Sequence, residues 1–405
     1  MRTRPIYLSK IIPFIDKPII KILTGVRRCG KSTLLKMIMN HLKSNGVADE
    51  QIIYINKDSL EFDSIQSYIN LYQFVKEKKE SMREQLRLYV FIDEVQEIDE
   101  WEKCIVSFFN DDWADIYLTG SNARLLSSEL ATRITGRYIE IQVQTLVFKE
   151  YVEFRSEKER RIDSLFEEFI RYGGFPGIHH MEFEYEIIRQ YVDAIYNTVL
   201  LKDVIERNAI RDASLLDRIT TFSIDNVGNP TTALSISNYL KSQRIKTAPE
   251  TVLNYLKYLC DAYITHKTNR FDIKGKLRLE LYEKYYLSDI GFIFAKLGDS
   301  FSDISGKLEN IVYLELRSRG YDVQIGKLNQ LEVDFIAQKD GKKVYVQVVY
   351  LLTSEQTIRR EFDVLNQISD NYPKFVLSLD KYFGGNYDGI RWMNLINFLL
   401  SDELS

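Results

Sequence analysis

Short β-branched runs alternate with helical periods through the first 145 residues. Residues 19–24 (IIKILT), 52–56 (IIYIN), 88–93 (LYVFID) and 115–119 (DIYLT) are short, largely apolar, β-branched runs of strand length, and 138–143 (YIEIQV) is a fifth candidate. Between them, residues 31–45, 64–79 and 101–110 repeat apolar positions at helical spacing. Apolar runs without period-two alternation read as strands buried on both faces. Their alternation with helices predicts an α/β fold with a parallel sheet sandwiched by helices.

From residue 148 to about 226 the pattern is helical. Its longest candidate is 185–207, preceded by a turn at Gly173-Gly174-Phe175-Pro176-Gly177. Two short helical periods follow near 233–242 and 249–260. Strand-like runs at 262–269 and 277–287 come next, with 272–276 as the turn between them. Helix, turn, helix and hairpin is the layout of a winged helix-turn-helix. A helix at 308–319 and strands at 322–326, 332–338, 344–350 and 375–380 complete a second, smaller α/β domain. The expected division is 1–147, 148–228, 229–300 and 301–405, and 405 residues are too many for one ordinary core.

Composition changes this picture little. Hydrophobic residues make 45% and charged residues 28%, the balance of a globular chain. No run of about 18 uncharged apolar residues exists, so no membrane partner is expected. The opening residues lack the apolar stretch and small-residue cleavage site of a signal peptide. Cys29, Cys104 and Cys260 are too far apart for a disulfide framework or a metal cluster, so a cytoplasmic location is expected. The net charge is −4, yet residues 241–280 carry nine Lys/Arg against four Asp/Glu. That local excess is either a solvated basic face or a DNA-binding patch.

The contiguous motifs carry more. Gly25, Val26, Arg27, Arg28, Cys29, Gly30, Lys31, Ser32 and Thr33 match G-x-x-x-x-G-K-[ST], with a strand before and a helix after. Glycines let backbone N–H groups close around phosphate oxygens, and the helix presents its positive end to them. ATP with Mg2+ is the expected ligand. Lys31 should reach the β- and γ-phosphates and the Ser32 hydroxyl should ligate the magnesium. The apolar strand at 88–93 ends in Asp93 and Glu94, the form of a Walker B element. Asp93 would hold the metal and Glu94 would act as general base on the attacking water. Leu118-Thr119-Gly120-Ser121-Asn122 ends the next strand at the same sheet edge, where Asn122 would sense the γ-phosphate.

Together GVRRCGKST, FIDEVQ, LTGSN, ITGRY, YGGFP, LEVDFIA and YVQVVYLL resemble a specific family. It comprises bacterial and archaeal AAA-type ATPases with a winged helix and a C-terminal restriction-endonuclease-like domain, related to the MNS group and to STAND regulators. The resemblance spans essentially the whole chain. It implies that Arg133 or Arg137 could act as a finger on the nucleotide of a neighbouring subunit, making a homo-oligomer a possible assembly. It also implies a PD-(D/E)xK arrangement, with Glu309 as the helical acid and Asp334 as the strand acid. Gln347 and Val349 stand where that motif has a carboxylate and a lysine. An amide is a poor ligand for magnesium and valine cannot activate water, so a vestigial nuclease site is expected.

The expectation is therefore an ATP-binding and ATP-hydrolysing switch. Its load is DNA through the basic winged helix, or a protein partner. An ATP-dependent nuclease and a protein-only scaffold are the competing readings.

Overall fold

A computed structural model of the chain describes residues 2–82, 86–123, 136–155, 160–298, 303–381 and 384–401. The chain divides into two compact units, Met1–Val143 with Asp261–Tyr263, and Gln144–Cys260 with Ile264–Ser405.

The first unit holds five parallel strands, β1 Ile20–Thr24, β2 Ile52–Asn56, β3 Leu88–Asp93, β4 Ala114–Gly120 and β5 Tyr138–Gln142. Their spatial order is β2-β3-β4-β1-β5. Every residue of β1 and β3 is buried, as their largely apolar runs predict, whereas edge strand β2 alternates. Helices α1 Pro5–Ile11, α2 Lys31–Ser44, α3 Tyr68–Glu80 and α4 Trp101–Asn110 accompany the sheet. Leu71 and Val75 of α3 and Ile105 and Phe108 of α4 join one core with Ile22, Val90, Ile92 and Leu118 of the strands. The one charge inside β1, Lys21, is buried against Asp115 of β4, because an unpaired ammonium there would be prohibitive.

The second unit opens with helices Phe148–Arg155, Ile162–Tyr172 and Tyr185–Thr198. The last continues as a π-helical stretch, Val199–Glu206, so the long helix expected over 185–207 is continuous but changes its winding. The YGGFP turn is held by the buried Asp289, whose carboxylate accepts from Gly174 N at 2.8 Å and Gly291 N at 2.7 Å. Gly173 has φ +79°, and a Cβ there would lie 1.9 Å from Asp289 Oδ1, so no side chain fits.

Helices Ala213–Asp225, Ala233–Ser242 and Pro249–Asp261 share a core of Leu215, Ile219, Ile236, Leu240, Val252 and Leu256 with Tyr285. Tyr285 belongs to the hairpin β6 Thr265–Asp272 and β7 Leu277–Leu287. Strand β6 starts three residues later than its sequence suggests. Tyr263 adopts φ +55° and Ile264 N bonds Leu259 O, a left-handed helix stop that consumes residues 262–264.

That hairpin extends the sheet of the C-terminal region. Strands β8 Asp322–Leu328, β9 Leu331–Lys339, β10 Lys342–Val348, β11 Lys374–Ser378, β12 Gly385–Tyr387 and β13 Ile390–Asn394 join it in the order β12-β13-β11-β10-β9-β8-β6-β7. Helices Ile304–Ser318 and Glu355–Asn366 belong to the same region. Among the described residues no helix is long and apolar enough to cross a membrane.

Candidate nucleotide site

The segment 25–33 joins the C-terminal end of β1 to α2. Gly25 (φ +139°), Arg28 (φ +69°) and Gly30 (φ +107°) all adopt positive φ, and such turns in a phosphate loop can bring successive N–H groups into one concavity. A Cβ on Gly25 would lie 2.1 Å from the Val143 carbonyl oxygen, so the loop's first position must be glycine. The residue before it is anchored too. Thr24 Oγ1 donates to Glu140 Oε1 at 2.6 Å, and the Tyr263 hydroxyl donates to the same oxygen at 3.3 Å.

Lys31 is buried at the start of α2 with its ammonium folded into the loop. It donates to Gly25 O at 2.9 Å and Val26 O at 3.2 Å and stands 3.8 Å from Glu94 Oε1. Ser32 is half-buried, Arg27 is half-buried, Arg28 and Thr33 are exposed, and Cys29 is buried with its thiol pushed up by loss of water.

Strand β3 delivers both acids to the same sheet edge. Asp93 accepts from Thr119 Oγ1 at 2.5 Å and from the Tyr54 hydroxyl at 3.0 Å, which fixes its carboxylate plane. Glu94 follows in the left-handed conformation, φ +56°, an uncommon state for a non-glycine residue. Burial pushes its carboxyl up, but the charges of Lys31 and Arg27, with hydrogen bonds from Gln96 and Ser121, hold it below the usual glutamate range. It is therefore ionised at neutral pH. One carboxylate, one hydroxyl and a cradle of N–H groups suit magnesium carried on a nucleotide's phosphates, because magnesium keeps most of its ligands from water and phosphate. Asp93 and Ser32 are the residues that would hold it.

Asn122 is buried just beyond β4, while it is Ser121 whose side chain touches Glu94. Arg137 precedes β5 at the opposite edge of the sheet, where its carbonyl accepts from Ile20 N. Its guanidinium is exposed, donates to Asn110 Oδ1 at 2.9 Å and lies over the Phe109 ring. The structure does not bring Arg137 to Lys31 and Glu94. Arg133 lies outside the described residues. Tyr54, Thr119 and Gln96 were not singled out in the sequence. Thr119 had a signal in its place in LTGSN, but nothing local marks Tyr54.

Residues 17–152 match the family model of an AAA domain. The chain is 36% identical over 99% of its length to an uncharacterized protein of Haemophilus influenzae, 99% of which is covered. This chain belongs to the AAA-type P-loop ATPase family. An uncharacterized protein of Methanocaldococcus jannaschii is 33% identical over 82% of the chain and 75% of its own length. In fold, the chain is similar to the Walker-type ATPase of Pyrococcus abyssi, with TM-score 0.50 and 16% identity over 71% of this chain and 94% of that one. Residues 163–303 match a domain of unknown function, DUF8612.

Beyond the AAA domain, the second unit gathers Glu309, Asp334 and Gln347. Asp334 Oδ2 accepts from Val348 N at 2.8 Å, and Gln347 Oε1 accepts from Asp334 N at 3.2 Å. Gln347 Nε2 donates to the buried Glu361 at 2.9 Å. Val349 is buried in a hydrophobic cluster with Phe362 and Leu365. A lysine does enter the cluster, from an unexpected strand. Lys284 of β7 is buried with its ammonium 2.8 Å from both Glu309 Oε1 and Glu332 Oε1. Burial would lower Lys284, but Glu309, Asp334 and Glu332 outweigh it and raise it. Loss of water, with the neighbouring Glu309, pushes Asp334 well above the ordinary range. Among the described residues no three His, Cys, Asp or Glu side chains are arranged to hold a metal ion.

Proposed function

We propose that this chain binds ATP with magnesium at residues 25–33, hydrolyses it, and uses the cycle as a switch on DNA or on a protein partner. The observation that carries the reading is the meeting of Lys31 and Glu94 across the loop, 3.8 Å apart and both buried.

Each residue has a chemical task in this reading. The N–H groups of Gly30 to Thr33 and the positive end of α2 receive the phosphates, and Lys31 leaves its loop carbonyls to neutralise them. Ser32 and Asp93 hold the magnesium, which when bound supplies charge stabilisation at the transferring phosphoryl group. Tyr54 and Thr119 keep Asp93 oriented. Ionised Glu94 takes the proton of the attacking water, and Asn122 reads the γ-phosphate from beyond β4. Arg137, on the far sheet edge, can serve only a neighbouring subunit's nucleotide, as could Arg133. The cheapest test is phosphate release from ATP and magnesium with no acceptor added. Release requiring magnesium supports the reading, and its absence together with an absence of ATP binding overturns it.

The load is assigned to the segment 229–300, read as a winged helix, with 148–228 as a helical connector and 301–405 as a nuclease-like scaffold. Lys241, Arg244, Lys246, Lys257, Lys274 and Lys276 are all exposed there, which supports DNA contact through phosphates. The outer face of helix Pro249–Asp261 presents Glu250, Leu253, Asn254 and Lys257, a poor set for reading bases, which supports a protein partner instead. Gel shifts across a salt series, with and without ATP, separate the two. The nuclease alternative is disfavoured because the Lys284 ammonium stands among the carboxylates and Gln347 is spent on Glu361.

A further inference from the structure

Arg4 is 3% exposed, an unusual depth for an arginine. Its backbone carbonyl accepts from Tyr7 N and Leu8 N at the head of α1, and its guanidinium lies 4.5 Å from the centre of the Tyr7 ring. From this fixed base Nη1 donates to the carbonyl of Cys29, inside the phosphate loop, at 3.1 Å. Its charge is also felt at the Cys29 thiol, which it lowers against the dominant effect of burial.

The peptide joining Cys29 to Gly30 is planar and trans, so its carbonyl and its N–H point in opposite directions. Holding the Cys29 oxygen toward Arg4 aims the Gly30 N–H the other way. The peptide lies in a tight turn, with Arg28 at φ +69° and Gly30 at φ +107°. We propose that Arg4 is a positioning residue of the phosphate loop, fixing the Cys29–Gly30 peptide so that the Gly30 N–H is aimed to receive a nucleotide's phosphate. The proposal rests on the nucleotide reading given above and adds to it a residue 21 positions ahead of the loop.

The role predicts a particular signature. Arg4→Met should weaken ATP and ADP alike by about tenfold, the worth of one hydrogen bond involving a charged group. Adenosine, which has no phosphate, should bind the variant as it binds the wild type. Turnover at saturating ATP should be unchanged, so the loss appears in KM and not in kcat. Arg4→Lys, which keeps the charge but not the planar fork, should recover part of the affinity. Titration calorimetry with ADP, well below the melting temperature, reads these values. Wild-type ADP affinity in a folded Arg4→Met protein overturns the proposal, and so does an equal loss for adenosine. If Arg4→Met does not fold, Arg4→Lys decides by the same measurement, unchanged ADP affinity again overturning it. Wild-type protein that binds no nucleotide would instead remove the underlying functional reading.

Discussion

The Lys31 ammonium stands 3.8 Å from Glu94 while it donates to two carbonyls of its own loop, so a buried cation neutralises a buried carboxylate beside the loop. Two functions meet in that pair. In the proposed cycle, arriving phosphates would compete for Lys31, and Glu94 would lose its nearest positive charge at the moment its proton affinity is needed.

Lys31→Ala should therefore abolish useful ATP binding, raising Kd at least a hundredfold, or about 3 kcal/mol. The variant also leaves Glu94 buried without its nearest countercharge, so a lower melting temperature should accompany the loss. Calorimetric titration with ATP and magnesium checks the first effect. Undiminished affinity would take Lys31 out of the site.

Glu94→Gln separates binding from chemistry. The amide occupies the same buried place beside Ser121 and Gln96 but cannot accept a proton from water. ATP should still bind and protect the fold against heat, while turnover falls roughly 10²- to 10⁴-fold, the usual worth of a general base. Wild-type phosphate release would assign the base elsewhere.

These two residues were legible because their motifs are contiguous, and so were β1 and β3, whose buried faces leave no polar alternation to misread. Legibility fails where partners are distant in sequence. Lys284 falls in the strand run 277–287, where nothing local marks it, yet packing brings it to Glu309 on helix Ile304–Ser318, 25 positions away. Val349, at the position where the nuclease motif has its lysine, is packed with Phe362 and Leu365. Glu361 was missed because it reaches Gln347 from helix Glu355–Asn366, which the apolar pattern did not single out. The late start of β6 was hidden for another reason, since a left-handed tyrosine at 263 has no sequence signature.

Asp289 predicts a pH dependence. Complete burial pushes its carboxyl up to about 6, against hydrogen bonds from Thr145, Gly291 and Gly174. A raised folded-state value means the native protein holds the proton more tightly than the unfolded chain. The stabilisation from this group is thus fully present below about pH 4 and is lost as pH rises from there through 6, by roughly 3 kcal/mol. Asp289→Asn should remove that slope while lowering stability throughout, because the amide turns a donor toward N–H groups that need an acceptor. Urea midpoints from pH 4 to 7 for both proteins test it, and parallel curves would refute the assignment.

Lys284 tests what the second unit does with its acids. Glu309 and Glu332 both face its ammonium at 2.8 Å, and Asp334 and Tyr286 lie in the same cluster. Removing one partner of a buried charge pair leaves the other uncompensated, typically at 3–5 kcal/mol. Lys284→Met should therefore destabilise the protein by about that much near neutral pH. Part of the loss should be recovered on acidification, since protonating the buried Glu309 removes its unpaired charge. Glu309→Gln combined with Lys284→Met should recover stability at neutral pH for the same reason, a coupling that a double-mutant cycle reads directly. The same variants decide between scaffold and nuclease. A scaffold leaves supercoiled plasmid intact with magnesium or manganese in wild type and variant alike. Nicking by the wild type that disappears in Lys284→Met would make this lysine catalytic and restore the nuclease reading.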